Sequence, residues 1–516
     1  MKGLLFVRRF LADYARNRVN LLLLVLVPVV FVVVAAGSVA DAAKLFGGSG
    51  DASAVATGTA GWAAGFLAGV AMYFQVAAAR DADRGLVIAG LPARRLVAAR
   101  LSTGLGLAVL ASVAALVVLW LRAGIADPVR AIAGTLMFEV IYLGIGATVG
   151  ALVRNPVNGT VLILFVWITD VFFGPTIGTG ADTVVTRVLP THYVSLWMID
   201  LPLRHGGRLS DLGVAALWTV GAMALAFMVV VATVRVLSRR RLRARPGSMR
   251  DQVTAAIRMG LRDWRRNPVL WLLLVAVPTV FILLAQAITP HRPTAIVVAG
   301  DGVRAAQIFD VFDLHAGTMT PIAIASLAAL TGLFVVLDTG PGDRRLALAG
   351  LRAGVSLTAR LAVICAATAL ATAVSLAVTA FVFDPQQWGW YAAANALIAV
   401  TYALIGVLIA PVFGRVGGVF VAFLIPFVDV GIAQSPMLRG EPASWAQYLP
   451  GYGAYRVLID GGLTASLDET GPLLIALAWI TALAATAFIL VRRTIRPSTT
   501  DLVPAYAEHA ADDSRT

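Results

Sequence analysis

Four acidic residues, Glu139, Asp170, Asp338 and Asp429, stand within or at the edge of long apolar runs. A carboxylate at the centre of a bilayer costs about 2.5–3.5 kcal/mol on insertion scales, so each one in such a run requires a partner or a task. The chemistry open to it is narrow. It can line a polar path, attract a cationic or amphipathic substrate, or accept hydrogen bonds where a helix is broken. Asp338 falls at the end of its run and needs none of these. Asp170, close to Gly174 and Pro175, and Asp429, close to Pro426, leave both path lining and helix-break bonding open, and Glu139 joins them as a candidate for the path.

Other chemistry is missing from the pattern. His192, His205, His291, His315 and His509 are scattered without ligand spacing, and the lone Cys365 sits in an apolar run, so no metal centre, disulfide or catalytic set is expected. The only lysines are Lys2 and Lys44, and no Gly-x-x-x-x-Gly-Lys-Ser/Thr occurs, which excludes a P-loop ATPase within this chain. No cofactor bound by the chain is expected, and it is read as a transport subunit, not an enzyme.

The elements that must position these residues follow from composition. With 59% hydrophobic and 13% charged residues, 516 positions hold too little polar surface to cover a water-soluble fold. A bilayer core about 30 Å thick needs roughly 20 apolar helical residues. Runs of that length predict twelve spans near 20–37, 61–79, 100–121, 131–152, 158–175, 211–234, 269–288, 321–338, 358–382, 391–412, 416–433 and 472–491. The net charge of +13 does not point to nucleic acid, because the basic residues sit between apolar runs. With the N-terminus in the cytoplasm, 31 of the 41 basic residues fall on the inner side, so a plasma (inner) membrane location with both termini cytoplasmic is expected. The first span is read as retained, not as a cleaved signal.

The spans form an internal repeat. Leu11-Ala-Asp-Tyr-Ala-Arg-Asn17, with Pro28 and Phe31 beyond it, returns as Leu261-Arg-Asp-Trp-Arg-Arg-Asn267 with Pro278 and Phe281, an offset of 250. Further on the offset is 260: Ala89-Gly90-Leu91 matches Ala349-Gly350-Leu351, Ala99-Arg100-Leu101 matches Ala359-Arg360-Leu361, Tyr142 and Gly146 match Tyr402 and Gly406, and Asp200 matches Asp460. Asp170 and Asp429 pair at 259, whereas Glu139 falls opposite Ala399. Ten extra residues within 289–320 account for the change. Six spans per copy leave both copies in the same orientation, so the expected fold is an all-α polytopic membrane protein of two parallel six-helix repeats, residues 1–235 and 251–497. A basic linker, 236–250, joins them, and a tail, 498–516, follows.

Amphipathic segments precede both copies, with Leu4, Val7, Leu11 and Tyr14 on one face of the first and Val253, Ile257, Leu261 and Trp264 on one face of the second. They are expected to lie along the inner membrane surface. Between the second and third spans comes a polar element with an apolar centre, Arg80 to Arg95 in the first copy and Asp343 to Arg352 in the second, which suggests a short helix docking onto another protein.

This order of features, an amphipathic segment, an acidic and basic Gly-Leu…Gly-Leu-Pro loop after the second span and a Leu-Pro-Thr-His-Tyr segment before the sixth, resembles the permease subunits of type-2 ABC exporters. The second copy repeats it with Leu449-Pro-Gly-Tyr-Gly453, so the resemblance covers nearly the whole chain as two fused permease halves. It implies that the loops are coupling helices seated on a pair of separate cytoplasmic ATPase subunits that bind the ATP, through Arg84, Gly85, Gly90, Leu91, Arg94 and Arg95 and through Arg344, Arg345, Gly350, Leu351 and Arg352. The second loop departs from the pattern in its shorter acidic start and in lacking a proline after Leu351. The implied cargo is a hydrophobic or amphipathic molecule such as a drug, an antibiotic or a lipid. The alternative is a proton-coupled transporter of the major facilitator class, which Asp81-Ala-Asp83-Arg84-Gly85 faintly resembles in the loop after its second span.

Overall fold

The computed structural model describes residues 18–45, 52–176, 184–199, 206–235, 268–300, 303–348, 353–438 and 440–495. The amphipathic segments, the basic linker, the tail, Asp200, Gly350, Leu351 and Arg352 lie outside these residues. The N-terminal bundle comprises α1 (Arg18–Leu45), α2 (Ala52–Ile88), α3 (Ala93–Ala123), α4 (Pro128–Leu152), α5 (Pro156–Phe173), the short α6 (Val184–Arg187) and α7 (His192–Met198), and α8 (Leu209–Arg235). The C-terminal bundle comprises α9 (Pro268–Ile288), a hairpin of β1 (Pro293–Gly300) and β2 (Val303–Asp310), α10 (Val311–Leu348), α11 (Ala353–Thr379), α12 (Trp388–Pro426), α13 (Tyr452–Leu463) and α14 (Thr470–Ile495).

The protein is an all-α polytopic membrane protein. Nine helices among the described residues are long and apolar enough to cross a bilayer, and each of the twelve apolar runs lies in helix. Helix is the required outcome, because it bonds its own amides and carbonyls where water cannot. Local signals set the ends. Asn155 caps α5, its side chain accepting from the amides of Val157 (2.9 Å) and Asn158 (3.3 Å), with Pro156 following at the first turn. The matching junction in α12 is Gly414, whose φ of 63° interrupts the helical backbone between the runs near 391–412 and 416–433.

The element between the second and third runs differs from expectation. In place of a separate short helix, α2 runs unbroken through Arg80–Ile88, leaving only Ala89–Pro92 as the turn, with Gly90 at φ 95°. Nothing before Gly90 forces a break, and the charged residues of the stretch find partners within the bundle. At about 55 Å, α2 is nearly twice as long as the apolar core is thick. α10 likewise continues through Arg344 and Arg345 to Leu348.

Within each bundle two helices pack backbone to backbone. A side-chain carbon on Gly146 of α4 would collide with the Gly69 carbonyl of α2, and one on Gly406 of α12 would collide with the Ala329 carbonyl of α10. Gly69 and Ala329 are themselves 260 apart, so the same contact recurs at the sequence offset. Small residues at such crossings give membrane helices their van der Waals contact, since apolar burial does little between helices already in lipid.

The ten extra residues correspond to the interval that folds as the hairpin. Its strands pair antiparallel from Pro293–Asp310 to Gly300–Val303, with Ile296 and Val298 buried beneath. The Val297 amide donates to the Gly440 carbonyl (3.0 Å), and Arg304 bonds Glu469 (3.0 Å), which also accepts from Arg456 Nε (3.0 Å). At the hairpin's base, the Phe312 amide (2.9 Å), the His291 imidazole (3.0 Å) and the Arg292 amide (3.2 Å) surround Asp310 and hold its carboxyl below the usual range.

Replacing Gly406 by Ala is expected to lower stability by roughly 1–3 kcal/mol, as overpacking does. Gly221→Ala, at a helical position with open space, should be neutral or raise it by up to about 1 kcal/mol. Thermal unfolding of the purified protein in detergent separates the two. For Asp310 the sign follows from its depressed pKa: the anchorage is complete above about pH 4 and is lost as pH falls through the lower folded-state value. Proteolysis of the hairpin by an acid-active protease should therefore accelerate below that range in the wild type, and Asp310→Asn should cleave readily at pH 5 as well.

Candidate functional site

Asp170 lies in the last turn of α5, and its carboxylate is enclosed by donors from α4 and from the residue before α7. Tyr142 of α4 donates to Oδ2 at 2.6 Å, and Thr191 donates through its hydroxyl to Oδ2 (2.7 Å) and its amide to Oδ1 (3.2 Å). Asp429 is held in the same way. Tyr402 of α12 donates to Oδ2 at 2.6 Å, the Gly451 amide donates to the same oxygen at 2.8 Å, and Gln434 Nε2 reaches Oδ1 at 3.1 Å. Both carboxylates are 2% exposed. Thr191 and Gly451 stand immediately before α7 and α13, so each buried acid ties the end of one helix to the start of a short one that follows. Asp429 lies in a π-helical turn, Phe427–Ala433, that widens the backbone as α12 ends.

Glu139, fully buried in α4, accepts from Ser112 of α3 at 2.5 Å, and its other oxygen has no partner. Asp338 pairs with Arg415 across α10 and α12 at 2.7 Å, in keeping with its place at the end of its run.

Between the bundles, α1, α2 and α5 meet α9, α10 and α12 along an aromatic seam. Phe66 lies against Trp167 (4.9 Å between ring centres), Phe420 (5.3 Å) and Phe423 (5.5 Å), and Phe31 stacks on Phe427 at 5.7 Å. Trp167 fixes its ring by donating to the Trp62 carbonyl at 2.9 Å. The seam is closed at this level; a cavity of about 30 Å³ beside it, between Phe165, Phe281 and Ser326, has room for little more than a water. Asp170 and Asp429 are on separate helices flanking this seam and do not bond one another, and Glu139 faces α3.

The turn from α2 to α3 is rigid below and exposed above. Asp83 and Arg100 form a buried bidentate pair (2.8 and 2.6 Å). Arg84, one of the residues expected to contact a partner, donates instead to the Thr233 carbonyl at the end of α8 (3.2 Å), and Arg80 donates to the Gly150 carbonyl of α4. These bonds leave the tip free. Gly85, Gly90, Arg94 and Arg95 are exposed, Leu91 is half-buried, and Ile88 is 73% exposed. In the other bundle Arg344 and Arg345 lie on the helical backbone of α10, but their side chains, like Gly350, Leu351 and Arg352, are outside what is described.

The class is thus a polytopic membrane protein with an aromatic seam between its bundles and, among the described residues, an exposed arginine-flanked turn between α2 and α3. Compared with family models and with curated proteins, the chain matches none.

Two groups escaped the sequence reading. The seam aromatics are indistinguishable from ordinary apolar residues within their runs. The Asp83–Arg100 pair had a legible signal, because Asp343 and Arg360 repeat both residue types and the spacing between them.

Asp83→Ala is expected to destabilise the protein by about 3–5 kcal/mol, since it strands a buried guanidinium, whereas Asp83→Ala with Arg100→Met should recover most of that loss. Thermal unfolding of the two single variants and the double variant completes the cycle.

Proposed function

We propose that the chain is the permease of an ATP-driven exporter, with two six-helix halves that move a hydrophobic or amphipathic molecule across the plasma membrane. The observation that carries this reading is the projecting turn Leu86–Arg95. Two helices of about 55 and 46 Å, both longer than the roughly 30 Å apolar core, carry it, and the Asp83–Arg100 pair and the Arg84–Thr233 bond brace it. Its tip nevertheless exposes Ile88, Gly90, Arg94 and Arg95. Apolar and basic groups exposed together on a braced support suit a groove on a second protein. The absence of a phosphate-binding loop from the sequence puts ATP hydrolysis on that partner, which would bind at the cytoplasmic face as two subunits.

The closed aromatic seam suits the resting state of such a path, because separating the bundles at Phe66, Trp167, Phe420 and Phe423 would expose an apolar, aromatic-lined cleft. Asp170 and Asp429 then serve as anchors that carry motion of α5 and α12 to the short α7 and α13, since all the donors around them come from those elements or their immediate neighbours. Glu139, alone among the three acids, keeps an unpartnered carboxylate oxygen. That observation favours a secondary reading, a proton-coupled transporter, with Glu139 as the carrier.

Arg94→Glu with Arg95→Glu should abolish transport and the stimulation of the partner's ATPase activity by at least tenfold, while membrane insertion and thermal stability stay at wild-type levels. Transport that persists without the ATPase and stops with a protonophore, or with Glu139→Gln, would establish the secondary reading instead.

A further inference from the structure

One exposed turn of the C-terminal bundle is aromatic where its counterpart is not. Between the end of α12 and the start of α13 the chain makes a 3₁₀ turn, Ser444–Tyr448, in which Ala446 is fully buried while Trp445 is 52% and Tyr448 72% exposed. At three residues per turn, side chains i and i+3 lie one above the other. Trp445 and Tyr448 therefore share one face, and Ser444 and Gln447, both exposed, share the next. In step with Leu189-Pro190 and Leu449-Pro450, which are 260 apart, the two aromatic positions fall opposite Val185 and Val188.

The polar tips of these rings are free. The buried Tyr142, Tyr391 and Tyr402 each donate to an acceptor in the protein, and the Trp388 indole donates to Asp384 at 2.9 Å. Among the described residues, neither the indole N–H of Trp445 nor the hydroxyl of Tyr448 bonds to protein. A ring with a free donor at its tip suits the boundary between hydrocarbon and water, where the ring meets acyl chains and the donor meets ester and phosphate oxygens.

Hydrogen bonds on either side set the level of the turn. Before it, the Gly440 carbonyl accepts from Val297 of the hairpin, and Glu441 faces Arg304 in an exposed ion pair at 3.8 Å. After it, the Gly451 amide reaches Asp429, which lies within an apolar span and bonds Tyr402, a residue about 21 Å along α12 from Trp388. α13 then covers about 18 Å and returns to the start of α12, where the Gly461 and Gly462 carbonyls accept from the Gln387 and Gln386 amides. Between the exposed ion pair and the buried acid stands the aromatic turn, its Ala446 carbonyl holding Gln434 at 3.0 Å beside Asp429. Phe381, just past α11, and Trp390, at the start of α12, are exposed at the same end of the bundle.

We propose that the Ser444–Tyr448 turn is a bilayer contact. On the side of the membrane that carries the hairpin, Trp445 and Tyr448 lie in the phospholipid interface, rings toward the acyl chains and donors toward the headgroup oxygens, while Ser444 and Gln447 face water. This contact is independent of the export reading.

Site-directed spin labelling of the full chain in phosphatidylcholine vesicles tests it, in a Cys365→Ala background that removes the chain's one cysteine. A nitroxide is attached in turn to Ser444→Cys, Trp445→Cys, Gln447→Cys and Tyr448→Cys. Val303→Cys, on the exposed strand β2, is the aqueous reference, and Leu217→Cys, on the exposed face of α8, is the hydrocarbon reference. Collision rates are measured with oxygen, which concentrates in hydrocarbon, and with a water-soluble nickel chelate present on both sides of the membrane. At 445 and 448 the oxygen-to-nickel ratio should fall between the two references and exceed that at 444 and 447 about threefold. Ratios at 445 and 448 equal to either reference overturn the proposal, and so do low rates with both reagents, which would show the rings covered by protein. The two aromatic positions are labelled separately, so either one decides if the other variant fails to fold.

Discussion

A carboxylate placed in hydrocarbon must be given donors, and both bundles are organised by that requirement. Asp170 and Asp429 each take a tyrosine hydroxyl from the preceding membrane helix and a backbone amide from the chain that follows. The tyrosines stand four residues before Gly146 and Gly406, the positions at which α4 and α12 touch α2 and α10 backbone to backbone. One face of a single helix thus sets both the crossing and the bond to the acid. The short helices α7 and α13 are tied to the bundles by the amides of Thr191 and Gly451, which donate to these acids. Removing either carboxylate would therefore release α7 or α13 as well as a tyrosine.

How much of this was legible in the sequence depended on whether a residue's partner was local or distant. Apolar run length gave the helices, because in lipid run length and helix are nearly the same statement. The 260-residue offset paired Tyr142 with Tyr402 and Gly146 with Gly406 before their contacts were known. What the pattern could not supply was the donor to each acid, since Thr191 is 21 residues from Asp170 and Gly451 is 22 from Asp429. The unbroken course of α2 was missed for a different reason. Arg80, Asp83 and Arg84 read as a solvated loop until Gly150, Arg100 and Thr233 are seen to satisfy them. The seam was hidden for lack of any contrast, because Phe66 and Phe423 are apolar residues among apolar residues.

The likeness between the bundles makes their differences informative. Positions at the helix crossings keep the same contacts at constant offset, whereas the more exposed third and sixth runs have diverged in side-chain volume, and the inserted hairpin belongs to the C-terminal bundle. Packing between α2 and α4, or α10 and α12, tolerates little change, because a single added carbon meets a carbonyl there. A helix bordered by lipid has no such restriction. Divergence there costs little stability and can alter what the surface accepts from the membrane.

On the export reading this division separates the parts that transmit force from the parts that select. A pair of ATPase subunits closing beneath the protein would act on the N-terminal bundle through the turn between α2 and α3, and the matching crossings and acid anchors of the two bundles would deliver that motion to the aromatic seam. Selection has no need to be symmetric. It can reside on one flank, where alanine stands at 369, 396 and 403 opposite Val109, Leu136 and Leu143, and where Glu139 has given way to Ala399. The hairpin fits the same division: tied to Glu469 and Gly440, it adds bulk at the end of the C-terminal bundle where α10 begins, while the N-terminal bundle has no corresponding insertion in its sequence.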